Sequence, residues 1–245
     1  MEIRALSPEE LRIVIDWAAD EGWNPGLHDA QSFFSADPEG FLGAFIDGQL
    51  VGSISAVCYD DDYAFLGLYL VKPELRGQGI GSQLWAVAMQ RVGGRRVGLD
   101  GVVDMQSAYA RSGFALAYRN IRFGGQVSGV RPVSDAMVVI GSDDLHRVES
   151  FDRATFGADR SGFLADWLSQ PDGHSWAFVE DDQVRGFGTV RACREGFKVG
   201  PLVADSALVA AEIFNALAGS AGNGGAIYLD VPEPNAAALD LARAV

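Results

Sequence analysis

The chain has 245 residues, 48% hydrophobic and 21% charged, so its apolar side chains suffice for one large domain or two small ones. Its formal net charge of -14 disfavours binding to nucleic-acid phosphates, and no apolar run approaches the ~18 residues of a membrane helix. Two cysteines, Cys58 and Cys193, are too few for a disulfide framework, and three scattered histidines indicate no metal site.

The chain begins with a predicted strand and two predicted helices. The strand covers residues 2–6, and the helix after it starts with Ser7 as N-cap and Pro8 at its first position. Four apolar residues at helical spacing give this helix one buried face: Leu11, Val14, Ile15 and Ala18. The second helix runs from residue 27 or 29 to residue 36, because Pro38 follows.

Three antiparallel strands are predicted next, over residues 41–46, 50–59 and 64–71. The first two are joined at Asp47-Gly48, a dipeptide that favours a tight hairpin turn. A helix then extends to about residue 92. The first domain is completed by a buried strand, a short helix and a last strand, over residues 97–99, 106–112 and 114–123.

The loop of residues 76–81, Arg-Gly-Gln-Gly-Ile-Gly, leaves a strand and enters a helix. Its glycines let the backbone turn sharply and leave the amides uncovered by side chains. The first amides of the helix have no intrahelical acceptor and lie at the positive end of its dipole. Arg76 adds a positive charge. Together these features predict an anion site of the size of a diphosphate.

Three nucleotide-binding motifs compete for this loop. A Walker loop requires a Gly-Lys-Ser/Thr that is missing here. A dinucleotide fingerprint requires a glycine where Ser82 stands, although Asp100 lies at about the right distance. The pattern R/Q-x-x-G-x-G/A fits in full, at Arg76, Gly79 and Gly81. A bare glycine turn remains the alternative, and a serine hydrolase with a G-x-S-x-G elbow is excluded.

The second half of the chain repeats the order of the first more faintly. A stretch rich in glycine and serine marks a linker over residues 126–134, between domains of residues 1–125 and 135–245. The second domain has predicted strands over residues 136–140, 175–180, 183–191, 197–202 and 226–229. Its predicted helices cover residues 143–156, 161–169, 207–218 and 235–244. A final strand is missing, so this domain is incomplete at its C-terminus or borrows a strand.

Two segments carry a family resemblance. The run LYLVKPELRGQGIG over residues 68–81 resembles the acetyl-CoA-binding motif of GNAT-type N-acetyltransferases, and YARSGF over residues 109–114 resembles that family's Y-x-x-x-G-F segment. EGWNPG over residues 21–26 and LDGV over residues 99–102 further resemble a tandem subgroup with a degenerate second domain. The resemblance implies an α/β (α+β) fold of two GNAT-like domains, each a mixed, mainly antiparallel twisted sheet flanked by helices.

The resemblance also implies where acetyl-CoA binds. In the family it lies between two strands that splay apart at a bulge, here residues 65–71 and 97–101. The backbone of Leu70 and Val71 would pair with the pantetheine. The pyrophosphate would be held by the loop and the start of the helix: Arg76, Gly77, Gln78, Gly79, Ile80, Gly81 and Ser82.

For catalysis, the resemblance assigns Tyr109 as the general acid that protonates the departing thiolate, with packing beside Phe114 as the alternative. Glu21, Trp23 and Tyr69 are implied as acceptor-pocket residues, although Trp23 in the core is an equal expectation. A glutamate that many members carry on the central strand is absent. The general base is therefore unassigned; the candidates are Glu21, Asp60, Asp61, Asp62 and Asp104, or a water relay to solvent.

In the second half, residues 198–205 take the place of the loop, and there Pro201 lacks an amide donor and Asp205 would face the phosphates. This half is not expected to bind acetyl-CoA as the first does. The predicted function is a cytoplasmic, metal-free, acetyl-CoA-dependent N-acetyltransferase for a small amine, without nucleic-acid or membrane partners and compatible with a homodimer. The alternatives are an acetyl-CoA-binding sensor without turnover and an enzyme for a related acyl-CoA.

Overall fold

The structure is a computed structural model that describes residues 1–126, 133–222 and 225–245. Its contacts divide the chain into two compact units. The first comprises Met1–Pro25, Asp29–Ala115 and Ala158–Phe163, and the second comprises Gly26–His28, Leu116–Gly157 and Leu164–Val245. Most of the predicted linker, residues 127–132, lies outside the described residues. The predicted domain bounds stay predictions.

The first unit is built on a mixed sheet. Its strands are β1 (Glu2–Ala5), β2 (Phe41–Ile46), β3 (Gln49–Cys58), β4 (Tyr63–Val71) and β5 (Arg96–Leu99), in that spatial order. The pairs are antiparallel except for β4 and β5, which run parallel. The helices are α1 (Pro8–Asp20), α2 (Asp29–Ala36), α3 (Ile80–Val92) and α4 (Gln106–Arg111). The mixed, mainly antiparallel sheet that was predicted is confirmed.

Local sequence signals set these elements. Ser7 caps α1 in a capping box with Glu10, in which each side chain accepts a hydrogen bond from the other residue's backbone amide. The predicted Asp47-Gly48 turn forms with both residues at positive φ, which fits a hairpin turn of the primed type. The predicted apolar face of α1, Leu11, Val14, Ile15 and Ala18, is buried. One core cluster lies on the α1 side of the sheet and another on the α3 side.

The second unit repeats this order. Its sheet runs β6 (Asn120–Gly125), β11 (Ile227–Pro232), β10 (Phe197–Ala204), β9 (Gln183–Ala192), β8 (Gly173–Glu180) and β7 (Met137–Val139). Here too one pair, β10 and β11, is parallel and the others are antiparallel. Its helices are α5 (Leu145–Phe156), α7 (Ala207–Ser220), α8 (Ala236–Ala244) and the larger part of α6 (Ser161–Leu168), whose first three residues belong to the first unit.

The strand predicted over residues 114–123 as the last of the first domain was placed wrongly. The observed strand is β6, and it pairs antiparallel with β11 in the second sheet. Phe123 packs against the core cluster beneath α7, and Arg122 forms two hydrogen bonds with the carboxylate of Asp230, at 2.7 and 2.8 Å. These contacts are far apart in sequence, so the strand pattern alone could not select the sheet. The second sheet thus borrows a strand, as one of the two alternatives predicted.

Candidate functional site

The two parallel strands of the first unit separate halfway along β4. Their pairing runs from Tyr63 and Arg96 to Leu66 and Leu99, and β4 continues to Val71 without β5. On its other side β4 carries a bulge, because Ser53 pairs with Leu70 while Ser55 pairs with Gly67. Two residues of β4, Leu68 and Tyr69, therefore oppose a single residue of β3. The bulge therefore lies just beyond the point where β4 loses its pairing with β5.

A buried hydroxyl holds the bulge in place. Leu68 has a φ of 44°, in a left-handed conformation that non-glycine residues seldom adopt. The Ser53 hydroxyl donates a 2.8 Å hydrogen bond to the Leu68 carbonyl oxygen, and Ser53 is 1% exposed. A strained backbone conformation persists only where its surroundings fix it. Ser53 supplies this constraint, and Leu70 beyond the bulge is buried in the core on the α1 side.

The glycine loop leads from β4 into α3 as predicted. Gly77 and Gly79 have φ values of 76° and 81°, and a Cβ at either position would meet nothing within 4 Å. The space in front of the loop is therefore open to a ligand. Gly79 is the N-cap of α3 and provides no side-chain hydrogen bond to the helix. The first amides of α3, at Ile80, Gly81 and Ser82, are thus left for an anion.

Not every residue of the loop serves a ligand. The Ile80 side chain is buried with the α3-side core, so only its backbone faces the opening. The side-chain Nε2 of Gln78 lies 3.5 Å from the Glu74 carbonyl oxygen, to which it donates. A Cβ on Gly81 would come within 2.6 Å of the Tyr69 hydroxyl oxygen. Gly81 therefore leaves room for the Tyr69 hydroxyl as well as leaving its own amide uncovered.

Arg76 and Glu21 form an ion pair beside the loop. Arg76 also donates a 2.9 Å hydrogen bond from Nε to the Val71 carbonyl oxygen. Glu21 ends α1 as its C-cap residue. The guanidinium that was predicted to face a phosphate is therefore partly neutralised, and it ties the end of β4 to the end of α1. Glu21, predicted as an acceptor-pocket residue, thus lies beside the first residue of the glycine loop.

An aromatic cluster connects the bulge to the predicted general acid. Trp85 on α3 lies between two phenols, with ring centroids 5.7 Å from Tyr69 and 5.9 Å from Tyr109. Phe114 contacts the same indole edge-on at 5.8 Å. Gly101 leaves room for the Tyr109 ring, because a Cβ there would lie 2.4 Å from it. Trp85 was not among the predicted site residues, although its position four residues after Gly81 places it on the same face of α3.

Burial changes the acidity of both phenols. Desolvation raises the pKa of Tyr109 above its usual value of 10.0. Desolvation also raises the pKa of Tyr69, with a smaller contribution from the neighbouring Tyr109. Both groups are thus protonated at neutral pH. A protonated phenol can donate its hydrogen to a developing thiolate.

The remaining candidates are Trp23 and the carboxylates considered as a general base, and most of them lie away from the loop and the aromatic cluster. Trp23 is half-buried and packs against the core cluster on the α1 side. Asp60 accepts hydrogen bonds from the backbone amides of Asp62 and Tyr63 in the turn before β4. The start of β4 at Tyr63 is five residues from Leu68, or roughly 16 Å along the strand. Asp61 and Asp104 are exposed. Of the five carboxylates considered as a base, Glu21 alone has contacts with the loop in the part of the chain described.

Among residues 1–126, 133–222 and 225–245, no three His, Cys, Asp or Glu side chains are grouped to hold an ion. Nor does any described helix have the length and apolarity to cross a bilayer.

Comparison with known proteins supports both units. Residues 7–114 match the Acetyltransferase (GNAT) family, and residues 148–245 match an Acetyltransferase (GNAT) domain. A protein named holothin acyltransferase, from Pseudoalteromonas sp. (strain SANK 73390), is 33% identical over 229 residues, which cover 94% of this chain and 78% of that protein. An uncharacterized N-acetyltransferase of Bacillus subtilis, YitH, is 34% identical over 97 residues, or 40% of this chain and 34% of that one.

Solved structures show the same fold. A putative acetyltransferase from Pyrococcus horikoshii has a TM-score of 0.78 at 25% identity and covers 99% of this chain and 83% of its own. A tandem GNAT protein from the clavulanic acid biosynthesis pathway has a TM-score of 0.65 at 16% identity, over 99% of this chain and 93% of its own. The arrangement of two similar units in one chain is therefore shared with a solved tandem protein.

Proposed function

This chain belongs to the GNAT acetyltransferase family, and from that premise we propose that it transfers an acetyl group from acetyl-CoA directly to a small amine, with Tyr109 as general acid. One observation carries the proposal. β4 separates from β5 past Leu66 and Leu99, and the chain then leads from the end of β4 through the glycine loop into the glycine-capped start of α3. An extended strand edge thus leads to an anion site, which suits a chain of amides that ends in a pyrophosphate.

The residues present fit acetyl-CoA in two respects. The space in front of Gly77 and Gly79 is open, and the amides at the start of α3 have no side-chain cap. In this proposal these amides bind the pyrophosphate, and the backbone of Leu70 and Val71 binds the pantetheine. Acetyl-CoA supplies the thioester that the amine attacks. Arg76 stiffens the junction of β4 and the loop through the Val71 carbonyl oxygen.

Tyr109 gives its hydroxyl proton to the sulfur as the carbon–sulfur bond breaks and the carbon–nitrogen bond forms. The amine loses one proton as the amide forms. That proton reaches the tyrosinate through solvent, so Tyr109 is protonated again for the next turnover. A phenol pKa above 10 makes Tyr109 a weak acid that is still protonated throughout the physiological range. Proton donation by a positioned side chain contributes typically ~10²–10⁴-fold to a rate. Trp85 and Gly101 hold the ring that performs it.

Acyl-CoA binding is the first test, by calorimetry on a matched pair of variants. Gly79 and Gly157 both cap an α-helix, at α3 and α5, with left-handed φ values of 81° and 83° and nothing within 4 Å of a Cβ. Gly79→Glu places a carboxylate at the proposed phosphate site and is expected to abolish acetyl-CoA binding. Gly157→Glu imposes a comparable backbone cost and leaves binding unchanged. Equal losses in both variants would contradict the site.

Turnover is the second test. The release of free CoA thiol is measured with a panel of small amines and with holothin, because a relative 33% identical carries that compound in its name. Thiol release that depends on one acceptor supports the transferase. Tight acetyl-CoA binding without release for any amine would favour the second candidate, a sensor without turnover. Faster release from propionyl-CoA or succinyl-CoA would change the proposed acyl donor.

A further inference from the structure

Two small residues face each other across β3 and β4 at the point where β4 leaves β5. Ser55 pairs with Gly67, and Gly67 is the first residue of β4 after Leu66, the last that pairs with β5. A Cβ built on Gly67 would lie 3.1 Å from the Ser55 Oγ. Outside the adjoining residues it would meet no other atom of the described chain within 4 Å. Ser55 and Gly67 thus leave a notch in the sheet, with a hydroxyl at its side.

The hydroxyl at the notch has no other task in the part of the chain described. Ser55 is 6% exposed, and its hydroxyl has no hydrogen-bond partner within residues 1–126, 133–222 and 225–245. Ser53 lies two residues earlier on the same face, and its hydroxyl is bonded to the Leu68 carbonyl oxygen. Most buried hydroxyls are hydrogen-bonded, so an exception needs an explanation. A polar group that enters the notch would provide the missing partner.

The notch opens on the α1 side of the sheet, whereas the proposed acid lies on the α3 side. Phe41, which pairs with Ser55, belongs to the α1-side core cluster. Trp85 packs against the α3-side cluster and stacks on Tyr109. In the proposed function the pantetheine lies along β4 beyond the bulge, so its acyl end reaches the notch. An amine in the notch therefore approaches the thioester from the face opposite the acid.

Aromatic rings continue the face on which the notch opens. Phe65 lies two residues before Gly67, and Tyr63 two residues before Phe65, so all three share one face of β4. Both rings lean over β5, because a Cβ on Gly98 would lie 3.0 Å from the Phe65 ring and 2.9 Å from the Tyr63 hydroxyl oxygen. Phe65 is half-buried and packs against neither core cluster described for this sheet. Part of its ring is thus uncovered beside the notch.

The strand neighbours of the notch carry no carboxylate. Ser55 pairs with Phe41 and Gly67, and the next pair on this face is Val57 with Phe65. An alkyl amine titrates near pH 10, as lysine does, and needs a base to become a nucleophile at neutral pH. An amino group on an aromatic ring shares its lone pair with the ring and is neutral at that pH. The surroundings of the notch therefore favour an amine of the second kind.

We propose that the acceptor is an amine attached to a flat aromatic ring, which stacks on Phe65 while its N–H donates a hydrogen bond to the Ser55 hydroxyl. Gly67 provides the space for the amino group, since a methyl group there would abut the hydroxyl. The hydrogen bond holds the nitrogen in the notch beside the thioester. This inference rests on the proposed acetyl transfer and adds to it the class of acceptor and the residues that select it.

Fluorine NMR of the full chain measures acceptor binding without turnover. The probes are 4-fluoroaniline and 4-fluorocyclohexylamine, which share a six-membered carbon ring and differ in flatness and in the charge of the amino group. With coenzyme A present in place of acetyl-CoA, 4-fluoroaniline is expected to bind at least about tenfold more tightly. Equal affinities, or no binding of either probe, would overturn the proposal.

Two matched pairs of variants locate the bound probe. Ser55→Ala and Ser32→Ala each remove a buried hydroxyl without a partner in the described chain, and only Ser55 borders the notch. Gly67→Ala and Gly94→Ala each add a methyl to a glycine outside the positive-φ region, and only at Gly67 does it meet a hydroxyl. Ser55→Ala is expected to weaken 4-fluoroaniline binding about three- to tenfold and Gly67→Ala more than about tenfold. Equal effects of a variant and its control would contradict the notch.

Turnover distinguishes this proposal from the proposed function. Thiol release from acetyl-CoA is compared for aniline and cyclohexylamine, and Phe65→Leu is expected to raise the KM for aniline about three- to tenfold with the KM for acetyl-CoA unchanged. Equal release with the two amines would overturn the aromatic class and leave the transfer standing. Binding of 4-fluoroaniline at the notch without thiol release would support the site and contradict the transfer.

Discussion

The indole of Trp85 stacks on the phenol of Tyr109, with ring centroids 5.9 Å apart and planes inclined by 29°. Trp85 belongs to α3, and the first turn of this helix forms the proposed pyrophosphate site. One helix therefore positions the anion site and, through this contact, the proposed acid. The stack thus joins α3 to the short helix α4, from Gln106 to Arg111, which carries Tyr109.

Replacing Tyr109 by phenylalanine tests the general acid. Tyr109→Phe retains the ring and its stack and removes the hydroxyl, so kcat is expected to fall about 10²–10³-fold while acetyl-CoA affinity stays within about twofold. Steady-state kinetics and calorimetry measure the two quantities. Tyr118→Phe, at a tyrosine that is 51% exposed, is the control. An undiminished kcat in Tyr109→Phe would rule out the acid role.

The pH dependence of the rate follows from the raised pKa of Tyr109. The protonated phenol is the active form, and burial moves its pKa above 10.0. The rate is therefore expected to hold on the alkaline side up to about pH 10 and to decline as pH rises through the phenol's pKa. In Tyr109→Phe this alkaline decline disappears from the residual rate. A decline that persists in the variant belongs to another group.

Trp85 acts on Tyr109 by position. Trp85→Leu removes the stack and admits water to the phenol, so the pKa of Tyr109 falls toward 10.0 and the alkaline decline moves to lower pH. We expect kcat to fall about tenfold, with Trp85→Phe recovering most of it. The pH–rate profile distinguishes this from general destabilisation, which would lower activity without moving the decline.

Neutralising Glu21 reports on the ion pair with Arg76. If Glu21 withdraws the guanidinium from the phosphates, Glu21→Gln tightens acetyl-CoA binding about two- to fivefold at low salt, and the gain shrinks at high salt. Asp20→Asn makes the same charge change one residue away at an exposed position. Calorimetry at two salt concentrations measures both. A large loss of kcat in Glu21→Gln would instead identify Glu21 as the general base.

The hydroxyl of Ser53 is expected to matter for stability and activity together. Ser53→Ala leaves the buried Leu68 carbonyl without its 2.8 Å hydrogen bond, which costs about 1–3 kcal/mol of unfolding free energy. The bulge relaxes, so acetyl-CoA affinity falls as well. Ser35→Ala, which removes an exposed hydroxyl bonded to the Gln31 carbonyl oxygen, is the control. Denaturant unfolding and calorimetry check the two effects, and unchanged affinity would separate the bulge from binding.

The borrowed strand stabilises the second unit. Phe123→Ala removes a half-buried ring from the core beneath α7 and is expected to lower the unfolding free energy of that unit by about 2 kcal/mol. Hydrogen exchange is expected to rise in β11, the strand that pairs with β6. Tyr118→Ala, upstream of β6 and exposed, is the control. Slow exchange retained in β11 would show that β6 contributes little.

The sequence by itself determined what depends on neighbouring residues. Ser7 predicted the start of α1 because a cap and its amide lie three residues apart, and Asp47-Gly48 predicted its hairpin because the turn needs positive φ at both positions. The glycine loop predicted a helix start without a side-chain cap, because glycine has no side chain to accept a hydrogen bond from the helix amides. The order of strands and helices, and its repetition in the second half, followed from these signals and from apolar periodicity.

The tertiary structure alone decided what depends on residues distant in the chain. A strand pattern does not specify which strand it will pair with. The pairing of β6 with β11 is accompanied by the packing of Phe123 and by the contact of Arg122 with Asp230, 108 positions apart. Arg76 and Glu21, 55 positions apart, were each expected to face a ligand, and in the structure their side chains bind each other. In the second unit the parallel strands separate although the glycine loop is missing. Their separation accompanies a bulge in β10, and the loss of the glycine motif from the sequence gives no sign of that bulge.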